Sequence, residues 1–172
     1  MTLRPIRIGA AAPRGQWRTL ALSLLLVSAV AGLGALGALD AREFYARLVK
    51  PVWAPPAAAF GPIWTTLYLF MGIAAWIVWR ARGDIAHAAD AFLLYGSQLL
   101  LNALWSWIFF RWHLGALALI EVCLLWLLVL ATLVHFWRIR RSAGLLLLPY
   151  LLWTSVATAL TAATWHLNPS IL

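Results

Sequence analysis

Gln98, Asn102 and Trp105 stand at positions i, i+4 and i+7, so on a helix their side chains share one face. Trp64 and Tyr68, four apart, make a second such stripe, and Tyr150, Trp153 and Ala157 a third. All three stripes lie in strongly apolar sequence, where a carboxamide is costly unless paired, so Gln98 and Asn102 must face a protein interior. There they either bond between helices or meet a ligand. Together with indoles and phenols that can stack, two amides suit a large, flat, partly polar guest. Glu121 is a lone carboxylate in another apolar run; it either serves function or holds a helix contact as a neutral, hydrogen-bonded acid. His87, His113, His135 and His166 lie near helix ends or in loops and form no opposed pair for a bis-histidine haem. Cys123 is the single cysteine, which excludes an intrachain disulfide and a Cys–Cys zinc pair, and no metal site is expected. Glycine-rich phosphate loops, nucleophile elbows and HExxH are absent from the sequence. Nor do the inner charges form a proton relay or ion ring, so a hydrolase, kinase or ion pump is not expected.

The elements that carry these residues must be membrane spans. Of 172 residues 65% are hydrophobic and 10% charged, and mean hydropathy is +0.88. Soluble domains carry roughly 25% charged residues, so this composition argues against a soluble or disordered protein. The net charge of +8 does not indicate nucleic acid, because the 13 basic residues are spread between apolar runs and form no basic face. Crossing about 30 Å of hydrocarbon takes roughly 20 apolar residues. Five segments qualify: 19–39, 62–79, 91–110, 114–136 and 144–165. They lack strand alternation, and unpaired backbone in lipid demands helices, so an all-α bundle of five transmembrane helices is expected. Residues 1–18 read as a basic tail. Arg4, Arg7, Arg14 and Arg18 before an apolar run resemble a secretory signal, but the run is longer than the usual signal core of about 7–15 residues, so a retained first helix is expected. Basic residues in the connections count nine on the N-terminal side against four on the other, which puts the N-terminus in the cytoplasm if the protein lies in an inner membrane. That basic side is also the expected attractor of ligand carboxylates.

The connection 40–61 is long and rich in prolines and aromatics, among them Tyr45, Trp53 and Phe60. Its composition predicts a lid over one end of the bundle. Trp17, Trp79, Trp112, Trp137 and Trp165 fall at helix ends and read as interfacial anchors, whereas Trp64, Trp105, Trp126 and Trp153 lie deeper. The first segment carries the small-residue pairs Ser28/Gly32, Ala31/Ala35 and Gly34/Ala38, which suit either internal packing or a dimer face.

Four motifs, in order, resemble the TspO/MBR family, the tryptophan-rich sensory proteins related to the mitochondrial translocator protein (peripheral benzodiazepine receptor). The run from Tyr45 through Lys50-Pro51 and Trp53 to Pro55-Pro56 resembles the family's first loop. Ile63-Trp64-Thr65-Thr66-Leu67-Tyr68 is similar to its second helix, and Gln98 to Trp105-Ser106 with Phe109-Phe110 to its third. Pro149-Tyr150 with Trp153 and Leu167-Asn168 is similar to its fifth, and the likeness covers residues 20–168. It implies a five-helix bundle with a cavity beneath the first loop that binds porphyrin or haem as a ligand, with no obligatory cofactor. Bacterial members are linked to tetrapyrrole regulation and stress sensing.

By this resemblance Tyr45, Gln98, Asn102 and Ala157 match pocket positions. Trp64 and Trp153 match tryptophans tied to light-dependent protoporphyrin degradation. The expected site is therefore Tyr45, Trp53, Trp64, Tyr68, Gln98, Asn102, Trp105, Tyr150, Trp153 and Ala157, with the loop around Trp53 closing over it. Three functions follow from the resemblance: a tetrapyrrole sensor, a photo-oxidative enzyme using Trp64 and Trp153, and a transporter. The transporter ranks last, since inverted repeats and broken helices are missing. A homodimer is the family expectation. Sterol binding is not expected at the fifth helix, because no basic residue follows Tyr150, and Leu39, Tyr45 and Arg47 fit only a loose sterol pattern. Thr161 stands after Leu160 where the family often has Asn.

Overall fold

The computed structural model describes residues 13–81 and 85–172. Every regular element among them is helical: α1 (Pro13–Gly37), α2 (Ala41–Arg47), α3 (Ala57–Arg80), α4 (Ile85–Ser106, continued by a π-helical turn Trp107–Arg111), α5 (Gly115–Ile139) and α6 (Arg141–Leu167). Five of these, all but α2, are long and apolar enough to cross a membrane. They correspond in order to the five expected spans, and the protein is an all-α, multi-pass integral membrane protein.

Several helices outrun the apolar segments, because hydropathy delimits only the stretch that crosses hydrocarbon. Residues 13–18, expected in the tail, belong to α1, and Pro13 costs nothing at a helix start, where its missing N–H has no partner to lose; residues 1–12 lie outside the described residues. The expected loop 40–61 is largely helical. Its first part coils into α2, and its last part joins α3, which begins at Ala57 directly after the extended Pro56 and carries Pro62 inside. Only residues 48–56 remain irregular. The connection between α5 and α6 shrinks to Arg140, since Gly144 lets α6 pass against Trp137: a Cβ on Gly144 would lie 2.8 Å from the Trp137 Cβ.

The core runs along the bundle axis through Met71, Val78, Tyr95, Leu125, Phe136 and Leu147. Leucines on the outer faces, such as Leu22, Leu25, Leu93, Leu100 and Leu152, are more than half exposed and face the lipid instead. The first helix leans from one neighbour to another. Near its start it presses on α3, where Gly72 sits under Leu24 and Val27, Ser23 Oγ donates to the Gly72 carbonyl at 2.7 Å, and Trp76 Nε1 donates to the Gln16 carbonyl at 3.0 Å. Near its end α1 presses on α4 instead: Gly37 lies against the Trp107 ring, and Trp107 Nε1 donates to the Leu33 carbonyl at 3.0 Å. Between the two clamps α1 and the first half of α3 part, and the site lies in that opening.

Candidate functional site

A chamber of about 990 Å³ fills the gap, near the upper end of the range for small-molecule sites. The α1 wall is made of small and aliphatic residues: Val27, Ala31, Gly34, Ala35 and Ala38. Opposite stand Gly61, Trp64, Thr65 and Tyr68 of α3, and the floor is Asn102, Trp105 and Ser106 of α4 with Phe110. Arg42 and Tyr45 of α2 close it toward the membrane surface, beside Phe60. Trp64 leans on Tyr68 with ring centroids 5.7 Å apart, and Trp105 stacks on Phe109 at 5.1 Å and 8°. The chamber is thus an apolar slot with an indole on each of two walls.

Behind it a hydrogen-bonded chain ties three helices together. Tyr68 donates to Asn102 Oδ1, Asn102 Nδ2 donates to the Tyr150 hydroxyl at 3.0 Å, and Tyr150 donates to Gln98 Oε1 at 2.9 Å. Gln98, Asn102 and Tyr150 are all buried. Both hydroxyl protons and one Asn102 N–H go to named acceptors, which offsets part of the cost of burying the amides and fixes the rotamers of Tyr68 and Asn102 at the chamber wall.

The cover is held in place by separate contacts. Phe44 of α2 packs edge-on against Phe109 and Phe110 and stacks on His113 at 4.1 Å. Tyr45 donates to the Pro55 carbonyl at 2.9 Å; removal from water pushes its phenol above the ordinary value, so it remains a donor through the physiological range. Lys50 Nζ donates to the Tyr45 and Leu48 carbonyls at the end of α2. Asn168, past the end of α6, accepts from the Val49 amide and donates to the Val49 carbonyl, both at 2.9 Å, as a neighbouring strand would. Asn168→Ala is therefore expected to release residues 48–56 without unfolding the bundle. Amide exchange at Val49 should rise about 10-fold or more, the scale of losing two buried hydrogen bonds; unchanged exchange would mean that the prolines alone hold the segment.

Of the ten residues expected in the site, Tyr45, Trp64, Tyr68, Asn102 and Trp105 line the chamber. Gln98 and Tyr150 stand one layer back, as the acceptor and relay of the hydrogen-bonded chain. Trp153 also lies off the chamber; it packs on Phe60 at 5.6 Å, and Phe60 in turn on Tyr45 at 5.5 Å. Ala157 is half-buried on α6 and lines no part of the chamber. The structure places Trp53 outside the chamber lining. It is 51% exposed and not in the lining, because the chain coils into α2 and brings Arg42 and Tyr45 over the chamber instead. The α1 wall was not read as part of the site, although the small-residue pairs signalled a close approach. Ser28, Ala31, Gly34, Ala35 and Ala38 are spent on the chamber, and Gly34 also faces Ala103 and Ser106 of α4.

Among the described residues, two buried polar groups have no partner. Trp105 Nε1 is buried with no acceptor, and so are both carboxyl oxygens of Glu121, a residue 5% exposed on α5. Glu121 does not line the chamber. A buried acid without partners costs stability, so Glu121→Leu is expected to stabilise the protein in detergent by about 1–3 kcal/mol. A lower unfolding temperature for this variant would reveal a partner for the carboxyl. Among the described residues no His, Cys or Met lines the chamber and no group of three metal-ligating side chains occurs.

Comparison with known proteins agrees with this architecture. The family model described as TspO/MBR family matches residues 23–166. Over 152 residues the chain is 38% identical to Protein CrtK of Rhodobacter capsulatus, covering 88% of this chain and 95% of that one. It is 37% identical over 152 residues to the tryptophan-rich protein TspO of Chlorobaculum tepidum, covering 88% and 96%. To the human translocator protein it is 38% identical over 127 residues, 73% of this chain and 75% of that one. By sequence, by its five spans and by the match along most of its length, the chain belongs to the TspO/MBR family of tryptophan-rich sensory and translocator proteins.

Proposed function

We propose that the chamber binds a tetrapyrrole and that the protein acts as a membrane sensor of that ligand. The observation that carries this reading is the slot itself, about 990 Å³ between a wall of small residues on α1 and the indoles of Trp64 and Trp105. A flat macrocycle gains most where one face meets a smooth aliphatic wall and the other meets rings. Side chains that commonly ligate haem iron are missing from the described lining, and the Tyr45 and Tyr68 hydroxyls already donate to Pro55 and Asn102. The site therefore favours metal-free porphyrin, held by contact and not by an axial bond.

The ligand reaches such a slot from the bilayer or from its surface, and ring-on-ring contact alters tryptophan emission, which gives a direct assay. Titration of protoporphyrin IX into the protein in detergent is expected to quench tryptophan fluorescence saturably, with one site per chain. Linear, unsaturable quenching would contradict the reading. Illuminating the complex separates sensing from photo-oxidation: a stable absorption spectrum supports the sensor, and a new absorbing species lost in Trp64→Phe supports the enzyme. The N-terminus is assigned to the cytoplasm on the charge count, and a homodimer rests on the family likeness.

A further inference from the structure

The chamber carries one fixed charge. Among its described lining residues Arg42 is the only ionised side chain. Two other cations are committed elsewhere: Lys50 bonds to the carbonyls of Tyr45 and Leu48, and Arg111 pairs with Asp40 at 3.6 Å. The Arg42 guanidinium has no hydrogen bond, ion pair or ring contact among the described residues. Glu43, next along α2, is exposed and does not line the chamber. Arg42 also lies outside the five spans and is exposed, so its charge is tolerated there while the walls beneath it stay apolar.

An apolar slot with a single unpaired guanidinium at its mouth selects for a particular shape of ligand. The body must be flat and lipophilic, and one edge must carry an anion that the planar fork of an arginine can hold through two hydrogen bonds. Building on the tetrapyrrole reading, we propose that Arg42 is the carboxylate-receiving residue of the chamber. The ligand class is then a flat lipophilic acid, its carboxylate at α2 and its ring system between α1 and the Trp64 and Trp105 walls. This moves the recognition of ligand acid groups from the N-terminal side, where the distribution of arginines along the sequence suggests it, to the opposite end of α1. It also makes esterification of the ligand, a change distant from the ring, a determinant of affinity.

The experiment compares protoporphyrin IX with its dimethyl ester by fluorescence titration of the full chain in detergent, in wild type, Arg42→Gln, Arg42→Lys and Arg47→Gln. Arg47 is the other arginine of α2 and does not line the chamber. Wild type is expected to prefer the diacid by about tenfold, the scale of one charge-assisted pair at a half-wet site. Arg42→Gln should bring the diacid down to the ester and leave the ester unchanged, Arg42→Lys should keep part of the preference, and Arg47→Gln should keep all of it. Equal binding of acid and ester by wild type overturns the assignment, as does an equal loss of both ligands in Arg42→Gln. The same series with 1-pyrenebutyric acid and its methyl ester separates the two levels of the argument. If neither porphyrin binds but the pyrene acid is preferred and the preference is lost in Arg42→Gln, the tetrapyrrole reading falls and the Arg42 assignment stands. If the pyrene pair shows no preference either, the Arg42 assignment falls.

Discussion

Asn102→Leu is expected to lower the stability of the protein in detergent by about 2–3 kcal/mol and to weaken porphyrin binding at the same time. The side chain is buried at the middle of the chain of hydrogen bonds, accepting from Tyr68 and donating to Tyr150. Leucine fills a similar volume, so little of the loss comes from a cavity. What is lost is two bonds between helices, and the Tyr68 hydroxyl is left without its acceptor beside an apolar slot. Such bonds in membrane bundles average about 0.6 kcal/mol and reach about 1.7, and an orphaned buried donor costs about 1–3. Thermal unfolding monitored by circular dichroism measures the first effect and protoporphyrin titration the second. A variant as stable as wild type would mean that water or lipid satisfies Tyr68 as well as Asn102 does.

Trp64→Ala is expected to leave the fold intact and to weaken protoporphyrin binding about 10- to 100-fold. Trp64 is only partly buried, and its ring contacts are Tyr68 and Tyr150, both of which are also held by the hydrogen-bonded chain. The bundle therefore does not depend on this indole, but a ligand in the slot loses its largest flat contact. Stacking of a heterocycle on an aromatic side chain is worth about 1–3 kcal/mol, and each 1.4 kcal/mol is tenfold in affinity. Trp153→Ala, one layer away behind Phe60, is expected to have a smaller effect on binding. If the two variants changed places in this order, the ligand would lie on the α6 side of Phe60 and not in the chamber.

The five spans were legible because apolar length is a direct requirement of the bilayer and is written in consecutive residues. The Gln98, Asn102 and Trp105 stripe was legible for a related reason: a carboxamide in hydrocarbon must find a partner, and helical spacing says which residues share its face. Spacing does not say which partner wins. Gln98 and Tyr150 share faces with chamber residues yet satisfy each other across α4 and α6, and only the crossing of helices decides that. The same holds for the cover. Proline content marked residues 40–61 as a structured connection, but the formation of α2 depends on Phe44 finding Phe109, Phe110 and His113, all far along the chain. Proline and aromatic content points to the loop around Trp53 as the closure; once α2 forms, Arg42 and Tyr45 occupy that position. The α1 wall escaped notice as part of a site because small residues advertise close packing, and here the space they leave becomes the chamber.

The central claim is that ligand binds in the gap between α1 and α3, and adjacent positions on α1 test it most directly. Ala31 lines the chamber, whereas a Cβ on Gly32, the next residue, meets nothing within 4 Å and points outward. Protoporphyrin IX affinity, measured by tryptophan quenching and checked by absorbance of the bound ring, is expected to fall at least 100-fold in Ala31→Trp, where an indole fills the slot. It should remain within about twofold of wild type in Gly32→Trp, where the same indole faces the lipid. Equal affinity in the two variants would place the ligand outside the chamber and contradict the account.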